Sequence, residues 1–145
     1  MKTILVNKGR ARQGKSESII KTAQLLQQKY PNAKIEPANI DYTQQDIKLI
    51  MTIDDIKIGI ESKGDPNSRL PKSLDDFSKK DCDIILCSSR TSGSTVKAIE
   101  ELKKTGYEVI WTSNARSKPH RIKLNNLTAN YFFTIIDHLI KNSKQ

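Results

Sequence analysis

The chain has 145 residues, a formal net charge of +9 and 36% hydrophobic residues, enough for one core and about one domain spanning 1–145. Charged residues make up 28%, but apolar periodicity runs through the whole sequence, which excludes a disordered chain. No apolar run approaches the roughly 20 residues of a membrane-spanning helix, and Met1-Lys2-Thr3 leads into only Ile4-Leu5-Val6 before charge resumes, so no secretory leader is read. These features place the chain in the cytoplasm, without a membrane partner. Its basic excess gathers anions, so nucleotides, nucleic acid and acidic proteins are the candidate partners.

Thr3-Ile4-Leu5-Val6-Asn7 reads as a short strand ended by Gly9. A helix is predicted from Lys15 to Tyr30, with Ile19, Ala23, Leu26 and Tyr30 at helical spacing and Pro31-Asn32 as its stop. Lys34 to Ile40 offers a second strand. Ile47–Ile53 and Ile56–Glu61, joined by Asp54-Asp55, suggest a hairpin, although neither turn residue is the favoured glycine. Ser73–Lys80 reads as a short helix. Asp83–Cys87 is a continuous apolar strand of the kind buried on both faces of a parallel sheet, and its odd separation of Cys82 from Cys87 directs the two thiols to opposite faces, unbridged. A helix from Ser92-Gly93-Ser94 to Lys104, a buried strand Glu108–Thr112, a basic loop from Asn114 to Lys123 and a last amphipathic helix from Asn126 to Lys141 complete the chain. On that last helix Leu127, Tyr131, Ile135, His138 and Leu139 share one side, with His138 read as a core or boundary residue. Strands alternating with helices indicate a layered α/β domain with a mainly parallel sheet.

Gly9-Arg10-Ala11-Arg12-Gln13-Gly14-Lys15-Ser16 fits G-x-x-x-x-G-K-S/T at every fixed position. The chain must leave a strand, curl its N–H groups around phosphate oxygens and enter a helix whose N-terminal dipole favours the same anion. Gly9 and Gly14 permit the turn and the close approach, Lys15 reaches the β- and γ-phosphates, and the Ser16 hydroxyl ligates Mg2+. Candidate triphosphate contacts therefore run from Gly9 through Ser16 to Glu17.

With these residues the chain resembles the P-loop NTPase superfamily. The motif covers eight residues, and the strand–helix order extends the resemblance over nearly the whole chain. It implies a three-layer α/β/α domain with a mainly parallel five-stranded sheet, here carrying a β-hairpin extension, that binds ATP or GTP with Mg2+. Arg12 stands where many members carry a further glycine. Arg10 stands where one branch, the dimeric ATPases of the division-site and partition type, has a lysine acting across a dimer, which keeps a homodimer among the expectations; a plain surface position is the other reading.

Such sites use a carboxylate at the end of a neighbouring strand to hold the metal. Ile58-Gly59-Ile60-Glu61 with Asp65 one short loop later is the nearest pattern, and either Glu61 or Asp65 fits the role; the alternatives are a solvent-facing Glu61 and an Asx turn at Asp65. The loop Ser88–Thr95 falls at the ligand edge of an open sheet, with Arg90 offsetting developing charge, or with Ser92 or Ser94 simply capping the next helix. Ser113 and Asn114 stand where the resemblance puts the base contact, and the lack of an N-K-x-D motif favours ATP over GTP. Arg116, Lys118, His120 and Arg121 form a basic loop that is either a cover over phosphates, a nucleic-acid contact or solvated.

Three functions follow. The first is a small kinase-like phosphotransferase or ATPase using Lys15, Glu61, Asp65 and Arg90, with an anionic or polynucleotide acceptor. The second is a nucleotide-dependent switch with slow hydrolysis. A basic nucleic-acid-binding module is the third, disfavoured by the 6% aromatic content, since single-strand binders rely on stacking platforms.

Overall fold

A computed structural model describes residues 2–10, 14–114 and 117–143. Its elements are β1 (Thr3–Lys8), α1 (Lys15–Lys29), β2 (Lys34–Glu36), β3 (Lys48–Ile53), β4 (Ile56–Glu61), α2 (Leu70–Lys79), β5 (Ile84–Ser89), α3 (Ser94–Lys103), β6 (Glu108–Ser113) and α4 (Arg121–Ser143). The sheet has six strands, not five, in the order β2-β3-β4-β5-β1-β6. Strands β4, β5, β1 and β6 run parallel, while β3 is antiparallel to both β2 and β4. The hairpin is therefore no extension: its second arm, β4, pairs with β5 inside the sheet. Its turn works without glycine because Asp54 and Asp55 both take left-handed backbone, at φ 49° and 69°. Aspartate is among the side chains that tolerate this region, and the two-residue turn that matches strand twist requires it at both positions.

The period of two in β1 sorts the core. Leu5 packs with Ile19 and Leu26 of α1 and Phe132 and Ile136 of α4. Ile4 and Val6 pack with Leu70, Leu74 and Phe77 of α2 and Ile99 and Leu102 of α3. Helices thus cover both faces, and β5, enclosed on both, is buried at all six positions. Gly59 marks the closest approach of α2 to the sheet, because a Cβ there would lie 2.6 Å from the Phe77 ring. Gly59→Ala is expected to cost about 1–3 kcal/mol through this overpacking, read as a lower urea midpoint with an unchanged slope.

Several expectations need correction. Helix α4 begins at Arg121, five residues before the expected Asn126, so the last part of the basic loop is helical. Its buried face is Asn125, Thr128, Ala129, Phe132, Ile136, Asp137 and Ile140, whereas Leu127 and Tyr131 are 50% and 56% exposed and His138 is on the surface. Polar residues turn inward because they meet partners. Asp137 accepts from Lys29 at 2.7 Å, from Lys141 at 3.0 Å and from the Tyr30 hydroxyl. Burial opposes its charge, but these donors prevail and hold its pKa down at about 2. Strand β6, expected to be buried, is a half-exposed edge strand. Helix α2 begins at Leu70, with Pro71 in the first turn where a missing N–H costs nothing. Neither Ser92 nor Ser94 caps α3; Gly93 does, at φ 91°, without a side-chain bond. The second strand ends at Glu36 rather than Ile40, ahead of Pro37. Both cysteines are free, as expected; both are buried, and they share one cluster instead of opposite faces, because Cys82 precedes β5 and does not follow its alternation. Among the described residues no helix is long and apolar enough to cross a membrane.

Candidate functional site

A cavity of about 810 Å³ opens where β1, β4 and β5 end, lined by Gly14, Lys15 and Ser16 from the head of α1, Gly64 and Asp65 after β4, and Ser88 and Arg90 at the end of β5. Parallel strands that end together leave such a crevice beyond their carboxyl ends. Gly14 is the N-cap of α1 and takes φ 79°, and a Cβ there would fall 2.4 Å from the Asn125 side chain, so glycine is demanded twice. Gly64 is tight as well: its Cβ would meet the Ser88 carbonyl oxygen at 2.2 Å.

Lys15 is 7% exposed. Its ammonium donates to the carbonyl oxygens of Gly9 at 2.6 Å and Ser89 at 3.0 Å, which hold it at the ends of β1 and β5. Burial, followed by the neighbouring Arg90 charge, lowers its pKa from 10.5 to about 8, against the pull of Asp65. Arg90 donates to Asp65 Oδ1 through Nε at 3.2 Å and Nη2 at 3.0 Å. With side chains 31% and 56% exposed, this ion pair is weak and easily exchanged for a phosphate contact.

The Ser16 hydroxyl lies 2.9 Å from Asp46 Oδ1 and 3.1 Å from the Ser62 carbonyl oxygen. Ser62 Oγ also donates to Asp46 Oδ1, at 2.8 Å, while accepting from the Ile47 amide at 2.8 Å. The hairpin explains this meeting. Lys48 of β3 is paired with Glu61 of antiparallel β4, so the residues leading into β3 lie beside those leaving β4, and the Ser62 amide donates to the Ile47 carbonyl at 3.0 Å. Asp46 thereby reaches the cavity, and sequence reasoning missed it. The signal was available, since any hairpin whose second arm ends at that edge brings the start of its first arm there too.

Glu61 takes a different part. Fully buried, it accepts from Arg69 Nε at 2.6 Å, Arg69 Nη2 at 3.1 Å and Ser73 Oγ at 2.7 Å, and it does not line the cavity. It fastens β4 to the start of α2. Asn114 is likewise buried: its Oδ1 accepts from Ser18 Oγ at 2.6 Å and Asn7 Nδ2 at 3.2 Å, and its Nδ2 donates to Asn125 Oδ1 at 3.0 Å. Neither Asn114 nor the exposed Ser113 is among the described residues that line the cavity. Glu17 does line it, and is engaged by Arg121 and by Asn125 Nδ2 at 2.8 Å, which ties the head of α4 to α1. Arg10 is exposed, Lys118 and His120 are exposed beside a separate surface hollow, and Ala11, Arg12, Gln13, Ala115 and Arg116 lie outside the described residues. Asp83 accepts the Lys57 amide at 2.9 Å at the opposite end of the strands.

The cavity thus joins Lys15, Ser16, Asp46, Asp65 and Arg90, and Arg121 and Lys21 add cations at its rim. Chemically, it suits an anion with several oxygens, met by ammonium, guanidinium and a helix N-terminus, beside a hydroxyl–carboxylate pair able to hold a hard cation. No family model, curated protein or solved structure matches the chain.

Proposed function

We propose that this chain is a P-loop NTPase-like protein that binds a magnesium–nucleoside triphosphate, ATP in preference to GTP, and moves the γ-phosphoryl group to an anionic acceptor or to water. The observation that carries the reading is the position of Lys15, which lines the cavity at the head of α1 and whose buried ammonium is held by the carbonyl oxygens of Gly9 and Ser89. A cation fixed there beside a helix N-terminus is ready for β- and γ-phosphate oxygens. Gly14 supports the reading because its left-handed backbone and missing Cβ let the chain turn into α1 against Asn125.

The residues present fit Mg2+. This ion takes one or two protein oxygens and completes its octahedron with phosphate and water, so Ser16 Oγ and Asp46 suffice, although among the described residues no cluster of three or more His, Cys, Asp or Glu occurs. Bound there, the ion would offset charge on the triphosphate. Asp65, 56% exposed in the cavity and bonded to Arg90, is a further acidic group beside Asp46 and Glu17, and Arg90 is the cation assigned to follow charge onto the transferring group. Positioning and electrostatics would then supply most of the catalysis, as in phosphoryl transfer generally. Glu61 is left out of this assignment, because Arg69 and Ser73 occupy it. Two free buried thiols suit a reducing compartment, and the cytoplasm is the place assigned.

Labelled ATP with Mg2+ and separate pools of nucleosides, nucleotides and polynucleotides tests the reading. Transfer of label, or its release as phosphate, is expected with the intact chain and not with Lys15→Met; equal turnover by both would reject it. Asp46→Asn keeps an acceptor oxygen for Ser16 and Ser62 but removes the charge, so it is expected to leave the melting temperature nearly unchanged. It should also raise the Mg2+ concentration needed for tight ATP binding about ten-fold or more, the loss of one charge-assisted contact. An unchanged Mg2+ titration would remove Asp46 from the assignment.

A further inference from the structure

The lining of the cavity falls into two chemically different sets of side chains. Besides those assigned to phosphate and metal, it includes Ile20, Lys21 and Gln24 further along α1 and Tyr42, Gln44 and Gln45 in the connection between β2 and β3. These six side chains bring one aromatic ring, one aliphatic branch, three carboxamides and one ammonium, with no carboxylate. The Tyr42 hydroxyl donates to Gln27 Oε1 at 2.6 Å, and its ring and Ile20 pack against the same core cluster. With its hydroxyl committed and its ring half-buried, Tyr42 is the aromatic side chain among the described residues that line the cavity. Each carboxamide offers a donor and an acceptor side by side, the pattern that pairs with the edge of a neutral heteroaromatic ring. A nucleobase has both surfaces, a π-face for stacking and an amide-like edge. The alternative base position, at Ser113 and Asn114, lies off the cavity, and Asn114 is bound to Ser18, Asn7 and Asn125.

We infer that this second set of side chains forms a nucleobase subsite, with Tyr42 as stacking platform and Gln24, Gln44 and Gln45 reading the base edge. The inference rests on the triphosphate reading above and deepens it. The base belongs either to the triphosphate bound at Lys15 or to an acceptor nucleotide beside it, and Lys21 is available to the phosphate or ribose that such a base carries. The Tyr42 face also offsets the scarcity of aromatics elsewhere, because one platform is enough for one base.

Calorimetric titration separates these sources. The probes are ATP, tripolyphosphate as a base-free mimic, and the four common ribonucleosides and their monophosphates, each with and without saturating ATP. Tyr42→Ala is expected to weaken base-bearing probes about ten-fold or more, the scale of one lost base–aromatic stack, and to leave tripolyphosphate unchanged. Tyr42→Phe, which keeps the ring, is expected to bind as the intact chain does. A loss for ATP assigns the base to the donor; a loss confined to nucleosides or monophosphates added over ATP assigns it to the acceptor. If no base-bearing probe loses affinity in Tyr42→Ala, or if tripolyphosphate loses as much, the subsite is overturned. Failure of the triphosphate reading looks different, because Lys15→Met would then leave tripolyphosphate binding intact while the nucleoside titrations, which need no phosphate, still report on Tyr42.

Discussion

Replacing Lys15 by methionine is expected to weaken Mg-ATP binding about 10- to 100-fold, the value of one or two charge-assisted hydrogen bonds. The fold should survive. Methionine fills the same channel without a charge, and the ammonium it replaces is desolvated and faces Arg90. The pH dependence separates binding from stability. In the folded chain without ligand the Lys15 pKa is about 8, against 10.5 for the ordinary side chain. An anion binds the protonated form, so triphosphate affinity should fall as pH rises above about 8, and Lys15→Met should be flat through that window. Stability runs the other way. The unfolded chain holds the proton up to 10.5 while the folded chain sheds it from about 8, so stability should increase across that interval and the increase should vanish in Lys15→Met. Isothermal titration and urea denaturation at matched pH values read the two trends. Unaltered affinity in the variant would remove Lys15 from the site.

Glu61→Ala should instead act on the fold. The carboxylate is 0% exposed and accepts two bonds from Arg69 and one from Ser73, so its removal strands these donors at the junction of β4 with α2. A loss of about 2–4 kcal/mol is expected, less than for a fully enclosed pair because the Arg69 side chain is 45% exposed and can turn to water. Urea unfolding measures it. The Mg2+ dependence of ATP binding should stay unchanged in the protein that remains folded, the reverse of the pattern expected for Asp46→Asn. A Glu61 variant with normal stability and a shifted Mg2+ titration would exchange the two roles.

Elements with one dominant signal were legible in the sequence. The apolar runs of β1, β4 and β5 sufficed because nearly every residue of those strands is buried, and the period of α1 sufficed because Ile19, Ala23 and Leu26 set its buried face. Helix α4 defeated the same logic. Its stripe of Leu127, Tyr131, Ile135 and Leu139 is more apolar than the stripe that turns inward, but Asn125 and Asp137 are drawn to the core side by Asn114 at the preceding strand's end and by Glu17, Lys29 and Tyr30, which are distant in sequence. Hydrophobic periodicity contains no term for such partners. Strand β2 was read from the sequence but carried too far, to Ile40; it ends before Pro37, and its pairing with β3 is a property of the sheet more than of its three residues.

The candidate site divides in the same way. Lys15, Ser16 and Gly14 are adjacent in the chain and were readable from spacing. Asp46 and Tyr42 were not, because they reach the cavity only through the antiparallel register of β3 on β4 and the path of the connection before it. Glu61 stood in a plausible position along its strand, yet the choice between cavity and core rested on Arg69 and Ser73, eight and twelve residues further on. Local sequence gives the proposed phosphate end; tertiary pairing supplies Asp46 and Tyr42.

A crystal soaked with Mg2+ and a non-hydrolysable ATP analogue tests the phosphate site most directly. The expected density has the β- and γ-phosphates against the Lys15 ammonium at the head of α1, with the metal between them and Ser16 Oγ. An analogue seated elsewhere on the surface, with Lys15 still donating to the Gly9 and Ser89 carbonyls, would contradict it.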